Sequence, residues 1–183
     1  MSAVRWDIGW GAVLLLSLTY FFDDTGLFAA CIPAVLAHEF GHAAALKYYG
    51  ANIRKVSVRI YGAKIDYSGI LGRRERAASL AAGPAAGAAY SVLAYLLLGT
   101  FGKMSAAAGT VMTVFNALPI IPLDGGQILG CILPAARARK ISLISSVLLC
   151  VVSLALLEAY STAAPIAVAA ALLANNLISD VRL

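Results

Sequence analysis

His38, Glu39 and His42 form a His-Glu-x-x-His motif, and their types and spacing suggest metal chemistry. Residues four apart on a helix face the same way, so both imidazoles can reach one ion. Zinc binds neutral imidazole nitrogens together with a carboxylate and keeps a fourth position for water. Glu39, beside the first ligand, can accept a proton from that water as a general base. The motif therefore predicts a hydrolytic zinc site.

The surroundings of the motif argue against a chance match. The chain contains only 2 histidines, and both belong to the motif. Apart from Glu158, near the end of a predicted helix, Glu39 is the only acidic residue deep within an apolar segment. A charged side chain at membrane depth costs at least about 2.5–3.5 kcal/mol, so it persists where it is paired, metal-bound or facing water.

A third ligand is expected from another segment at the same depth, and Asp124 fits this requirement. Pro119 and Pro122 exclude regular helix just before it, while Gly125 and Gly126 permit tight backbone geometry. Non-helical backbone at membrane depth is tolerated only where protein or water satisfies it, as in a site cavity. The alternative is that Asp124 caps the following helix. Its predicted depth, shared with the two histidines, favours the ligand.

The composition indicates a protein dissolved in lipid. Hydrophobic residues make up 61% of the chain and charged residues 13%, with a mean hydropathy of +0.86. A soluble domain carries about a quarter charged residues. Cys31, Cys131 and Cys150 lie in apolar stretches without Cys-x-x-Cys spacing, so we interpret them as packing residues.

The pattern predicts an all-α polytopic membrane protein, since a bilayer-spanning helix needs about 20 apolar residues. The six expected spans are about 5–22, 26–46, 76–100, 104–122, 141–159 and 163–179. We interpret residues 1–183 as a single integral-membrane domain. Its catalytic core is about 26–130, and its accessory helices are about 5–22, 141–159 and 163–179. The first segment is read as a retained span because no A-x-A-like cleavage site follows it.

The basic residues predict the orientation. With the N-terminus in the cytoplasm, Lys103 is the only one of the 14 Lys and Arg residues that would lie outside. The positive-inside rule therefore predicts that both termini are cytoplasmic. The same distribution accounts for the pI near 9.3 without nucleic acid as a partner.

Residues 52–68 differ from the apolar segments and predict a small membrane-associated β-hairpin. Val56, Val58 and Ile60 alternate with polar residues, the period of a half-exposed strand. Gly62 and Ala63 could form the turn before a second strand. Two interpretations stay open: a basic loop that contacts anionic lipid headgroups, or an edge strand that binds an unwound substrate by strand addition.

Two motifs together resemble the site-2 protease family of zinc intramembrane proteases. These are His-Glu-Phe-Gly-His in one span and Asn-x-x-Pro-x-x-Pro-Leu-Asp-Gly-Gly, which begins at Asn116, in another. The resemblance extends from about Val35 to Ile128. The layout is most similar to the bacterial sporulation-type branch, which processes a membrane-associated sigma-factor precursor.

The resemblance implies specific roles and partners. His38, His42 and Asp124 would bind one zinc ion per chain, and Glu39 would be the catalytic base. Asn116 would help to position the substrate or the developing oxyanion. The substrate would be a membrane-tethered protein in a bacterial cytoplasmic or forespore-type membrane. Membrane-protein regulators and a homo-oligomer are further expected partners.

One departure from the family pattern lies in the third predicted span. The family has Ala-Gly-Pro-x-x-Asn there, and this chain has Gly87 where Asn would stand. The remaining Gly83-x-x-x-Gly87 is typical of close helix packing. Two other functions remain as alternatives: a membrane zinc transporter or sensor, and an inactive relative that only binds membrane proteins.

Overall fold

A computed structural model describes residues 4–59, 62–160 and 164–178. The strands in these ranges are β1 (Arg5–Ile8), β2 (Asn52–Arg59) and β3 (Gly62–Ser68). The helices are α1 (Trp10–Phe21), α2 (Leu27–Tyr48), α3 (Arg73–Leu97), α4 (Gly99–Asn116), α5 (Asp124–Ile132), α6 (Ala135–Tyr160) and α7 (Ala164–Ile178). The chain divides into two compact units, Met1–Val114 and Phe115–Leu183.

Three of the described helices are long and apolar enough to cross a membrane. They are α2, α3 and the part Ala135–Glu158 of α6. Helices α1 and α7 are apolar but shorter, with 12 and 15 residues. A helix of 12 residues rises only about 18 Å, against about 30 Å for a hydrocarbon core. The described residues thus support an integral membrane protein, but the six predicted spans are not confirmed.

The surface of α6 reverses the pattern of a soluble protein. Ser142, Ser146 and Ser153 are at most 2% exposed on this helix, while Val147 and Val151 are at least half exposed. A water-soluble helix buries its apolar side and exposes its polar side. Exposed valines and buried hydroxyls suit a lipid environment, in which small polar residues mediate helix contacts.

Helices α2, α3 and α4 of the first unit pack closely through small residues. The buried hydroxyl of Ser105 on α4 donates a hydrogen bond to the carbonyl oxygen of Ala30 on α2, 2.6 Å away. A Cβ added to Gly41 would overlap the carbonyl oxygen of Ala82 on α3. These contacts hold the backbone of α2 firmly between its neighbours, as small residues allow in membrane helices.

The predicted hairpin between the second and third helices is confirmed. Strands β2 and β3 pair antiparallel, with Val56 opposite Ile65. Gly62 and Ala63, predicted as the turn, belong to β3 instead. Residues 60–61, between the two strands, lie outside the described residues.

The sheet contains a third strand, which we did not predict. Strand β1 pairs parallel to β2, and the Lys55 ammonium lies 2.6 Å from a carboxylate oxygen of Asp7. Residues 5–8 alternate basic, aromatic, acidic and aliphatic, which is a strand period, but they had been assigned to the first span. Strand β2 is therefore central among the described strands, so strand addition, one of the two open interpretations of residues 52–68, has no free edge at β2.

The parallel pairing constrains the path of the first two helices. The backbone N–H of Gly9, just before α1, donates to the carbonyl of Val58 in β2 at 2.9 Å. Helix α2 ends at Tyr48, three residues before Ala51, which directly precedes the same strand. Helices α1 and α2 therefore connect two neighbouring parallel strands of one sheet.

The second unit contains helices α5–α7 and the non-helical residues 117–123 that precede α5. The predicted span 104–122 is wrong at its end, because α4 stops at Asn116. Pro119 and Pro122 account for this end, as expected for residues that cannot continue a helix. A Cβ on Gly125 would overlap the carbonyl of Ala117, and one on Gly126 would overlap Ile120. The two glycines thus allow the first turn of α5 to pack directly on this segment.

Candidate metal centre

Helix α2 carries the His-Glu-x-x-His motif and places both histidines on its packed side. His38 is 4% exposed, and His42, one turn later, is half-buried. Glu39 between them is also half-buried. The predicted helical arrangement of the motif is therefore what the structure shows.

The two imidazoles face each other through their Nε2 atoms. These atoms lie 3.1 Å apart, and the rings are nearly perpendicular, at 82°. Two nitrogen ligands of a tetrahedral zinc ion, each about 2.0–2.1 Å from it, lie about 3.3 Å apart. The pair therefore has nearly the spacing that a shared zinc ion requires.

The backbone of α3 determines which nitrogen of His42 carries the proton. Nδ1 of His42 lies 2.9 Å from the carbonyl oxygen of Ser79. A carbonyl only accepts hydrogen bonds, so Nδ1 carries the proton and donates it. A neutral His42 then presents a lone pair at Nε2, towards His38. Metal-binding histidines are commonly held in this way by a carbonyl behind the ring.

Gly83 and Gly87 of α3 provide the space for the two histidines. A Cβ on Gly83 would overlap the imidazole of His42. A Cβ on Gly87 would lie 2.8 Å from the Thr113 hydroxyl and 3.6 Å from Nδ1 of His38. A side chain at position 87 would therefore press against the Thr113 hydroxyl. Both glycines are buried inside the unit, so they offer no contact face to a second copy of the chain.

Asp124 is the first residue of α5 and is 9% exposed. Leu123 occupies the N-cap position, and Asp124 is the acidic residue of the first turn. The choice between a metal ligand and a helix cap is not decided by this position. The unpaired N–H groups of a first helical turn favour a negative charge, and this suits an ionised carboxylate. His38 and His42 belong to the first unit and Asp124 to the second. The predicted role of the three residues as ligands of one metal ion stays a prediction.

The remaining candidate, Asn116, is the last residue of α4 and is half-buried. It directly precedes the non-helical segment that leads to Asp124. The catalytic roles of Asn116 and Glu39 stay predictions.

No protein-family model and no curated protein sequence matches the chain significantly. A solved structure is nevertheless similar to it, the site-2 protease from Methanocaldococcus jannaschii. The two have a TM-score of 0.68 over 96% of this chain and 90% of that one, at 19% sequence identity. The chain has the fold of a site-2 protease. At this identity the similarity concerns the fold, and the sporulation-type branch is not shown.

Several residues around the site were missed by the sequence analysis. The carbonyl of Ser79 acts through the backbone, so its residue type carries no signal. Asn176 is different, because an amide within an apolar helix is itself a signal of a buried polar contact. Its side chain, only 3% exposed, lies among Ser142, Ser146 and the peptide groups of Ile121.

Proposed function

We propose that this chain is a zinc-dependent intramembrane endopeptidase. It hydrolyses a peptide bond in or near the transmembrane segment of a membrane-tethered protein. His38, His42 and Asp124 hold one zinc ion, and Glu39 is the general base.

The observation that carries this proposal is the geometry of the two histidines. Their Nε2 atoms lie 3.1 Å apart, and the Ser79 carbonyl favours the His42 tautomer with its proton on Nδ1 and its lone pair on Nε2. A pair of imidazoles one helical turn apart with an adjacent glutamate matches the donor set of a hydrolytic zinc site. The similarity of the fold to that of a site-2 protease supports the proposal.

In the proposed reaction, each site residue has a separate role. A bound zinc ion would supply Lewis-acid chemistry, by lowering the pKa of a coordinated water towards about 7 and polarising the scissile carbonyl. Glu39 accepts the proton of the attacking water and passes it to the leaving amine. Asn116 donates a hydrogen bond that positions the substrate or stabilises the developing oxyanion.

The substrate must unwind before its carbonyls can be attacked, and the sheet offers a place to hold it. Strand β2 is paired on both sides, so strand addition to the hairpin at residues 52–68 would use the outer edge of β3. The non-helical segment around Pro119 and Pro122, which the sequence also suggested, is less available. At the centre of this segment, the N–H of Ile121 is already hydrogen-bonded to Ser142, and the carbonyl of Ile121 to Asn176.

The finer features of the proposal concern location and biology. The basic residues favour a site near the cytoplasmic leaflet and cytoplasmic termini. A bacterial cytoplasmic or forespore-type membrane and a tethered sigma or transcription factor as substrate follow from the resemblance of the motifs. Membrane-protein regulators and a homo-oligomer belong to the same proposal, with a contact face other than Gly83 and Gly87.

Co-expression of the chain with candidate tethered sigma or anti-sigma precursors tests the proposal, with Glu39→Gln as the decisive variant. We expect this variant to keep its zinc and to cleave about 10²–10⁴-fold more slowly, the usual contribution of a general base. Glu158→Gln, at an exposed position on α6, is the matched control and should cleave like the wild type. Cleavage by Glu39→Gln at the wild-type rate would contradict the mechanism, and zinc flux across vesicles would support a transporter instead.

A further inference from the structure

Helices α6 and α7 hold a buried polar cluster, defined here as Ser142, Ser146 and Asn176. Their exposures are 0%, 0% and 3%. The Ser142 hydroxyl donates to Oδ1 of Asn176 at 2.8 Å, and Nδ2 of Asn176 donates to the Ser146 hydroxyl at 3.1 Å. Buried polar groups are costly unless they are paired, so a fully paired cluster of this kind fixes one arrangement of its neighbours.

The cluster forms hydrogen bonds to a single residue, Ile121, of the non-helical segment 117–123. The N–H of Ile121 donates to the Ser142 hydroxyl at 2.8 Å, and the carbonyl of Ile121 accepts from Nδ2 of Asn176 at 2.9 Å. The N–H and the carbonyl of this residue are thus hydrogen-bonded to side chains from two different helices. Ile121 lies three residues before Asp124.

The constraint at Ile121 passes on to Asp124 through short contacts. The N–H of Leu123 donates to the carbonyl of Ile120 at 2.7 Å. Gly126, in the first turn of α5, packs so closely on the Ile120–Ile121 peptide that a Cβ there would overlap it. Helix α5 therefore begins against the backbone that the cluster holds, and its first residue is Asp124.

We propose that Ser142 and Asn176 are positioning residues for Asp124. They set the place of its carboxylate through Ile121, so helices α6 and α7 belong to the metal site rather than to an accessory region. This inference rests on the proposed function, because it assigns to Asp124 the role of metal ligand.

Three Ser→Ala substitutions on α6 and one substitution on α7 test the proposal. Ser142→Ala removes the acceptor of the Ile121 N–H and the donor to Asn176. Ser146→Ala, one turn away, removes only a contact to Asn176 and a bond to the carbonyl of its own helix. Ser153→Ala, two turns further on and 2% exposed, lies outside the cluster and is the matched control. Asn176→Leu keeps a similar volume but removes every hydrogen bond of the amide.

The readout is the affinity for zinc and the absorption spectrum of bound Co²⁺, measured on full-length protein in detergent whose folding is monitored by circular dichroism. We expect about tenfold weaker zinc binding for Ser142→Ala and Asn176→Leu, in the range for partners that orient metal ligands. Ser146→Ala should change it less, and Ser153→Ala should leave it unchanged. The Co²⁺ spectrum should change in the first two variants, because a displaced carboxylate alters the ligand field.

The outcomes separate the two proposals. If the wild type binds no zinc, the proposed function fails. The other outcome requires a wild type that binds zinc. If the folded Ser142→Ala and Asn176→Leu proteins then have the zinc affinity and the Co²⁺ spectrum of the wild type, the cluster only stabilises the helices. That result would overturn this inference. An equal loss of affinity in all four variants would also overturn it, since Ser153 does not contact the segment.

Discussion

The ring of His42 is oriented by the backbone carbonyl of Ser79, which lies 2.9 Å from its Nδ1 atom. This one contact fixes both the tautomer and the direction of the Nε2 lone pair, and it comes from a different helix than the motif itself. Several measurable consequences depend on it and on the neighbouring contacts.

The tautomer of His42 can be observed directly by NMR. With ¹⁵N-labelled histidine in metal-free protein, we expect His42 to carry its proton on Nδ1 near neutral pH, because only a donor can pair with the Ser79 carbonyl. The chain has 2 histidines, so a His38→Gln variant assigns the signals. A His42 signal with the proton on Nε2 would contradict this orientation of the ring.

Zinc should stabilise the fold through the two histidines. With free zinc at about a thousand times its dissociation constant, binding raises the free energy of unfolding by about 4 kcal/mol. Thermal unfolding in detergent, before and after treatment with a chelator, measures the change. The melting temperature of His42→Ala should be the same with zinc and after the chelator. A change as large as that of the wild type would mean that the stabilising ion binds elsewhere.

Gly83 should not tolerate a side chain. Gly83→Ala forces a methyl group into the imidazole of His42, so we expect it to weaken zinc binding and to lower stability by about 1–3 kcal/mol, as for other overpacked sites. Gly130→Ala is the matched control, because nothing lies within 4 Å of its added Cβ. That helical position should gain up to about 1 kcal/mol. Equal effects of the two substitutions would mean that packing against His42 is not constraining.

The start of α2 should depend on pH through Asp23. Its carboxylate accepts hydrogen bonds from Thr25 and from the N–H groups of Leu27 and Phe28. Burial alone would raise the pKa of Asp23, but the bonds from the Thr25 hydroxyl and these N–H groups outweigh it and hold the pKa below its ordinary value. A lowered pKa in the folded state contributes stability above the unfolded value of about 3.9, and this contribution is lost as the pH falls through the folded value.

Thermal unfolding between pH 6 and pH 3 measures this dependence. Asp23→Asn should flatten the decline in melting temperature at the acidic end, since it removes the titrating group. Asp24→Asn removes the same charge one residue later and serves as the control. If the two variants follow the same curve, the hydrogen bonds to Asp23 do not couple to folding.

The sequence alone located the chemistry of the site. The spacing of His38 and His42 is a helical period, so their shared face followed from local geometry, and the pair of prolines before Asp124 correctly predicted an interruption of the helix. The hairpin at residues 52–68 was also predictable, because alternation with period two is a local property. These features depend on residues close in sequence, and for that reason they could be inferred without the structure.

Tertiary structure determined which distant backbone and side-chain groups contact these residues. Strand β1 was hidden within an apolar N-terminal segment, since its pairing with β2 joins residues 50 positions apart. The Ser79 carbonyl and the space at Gly83 and Gly87 are backbone features that residue types do not reveal. The contact from Asn176 to Ile121 spans 55 residues. A motif states which atoms can bind a metal, whereas the packing of distant helices determines where those atoms are held.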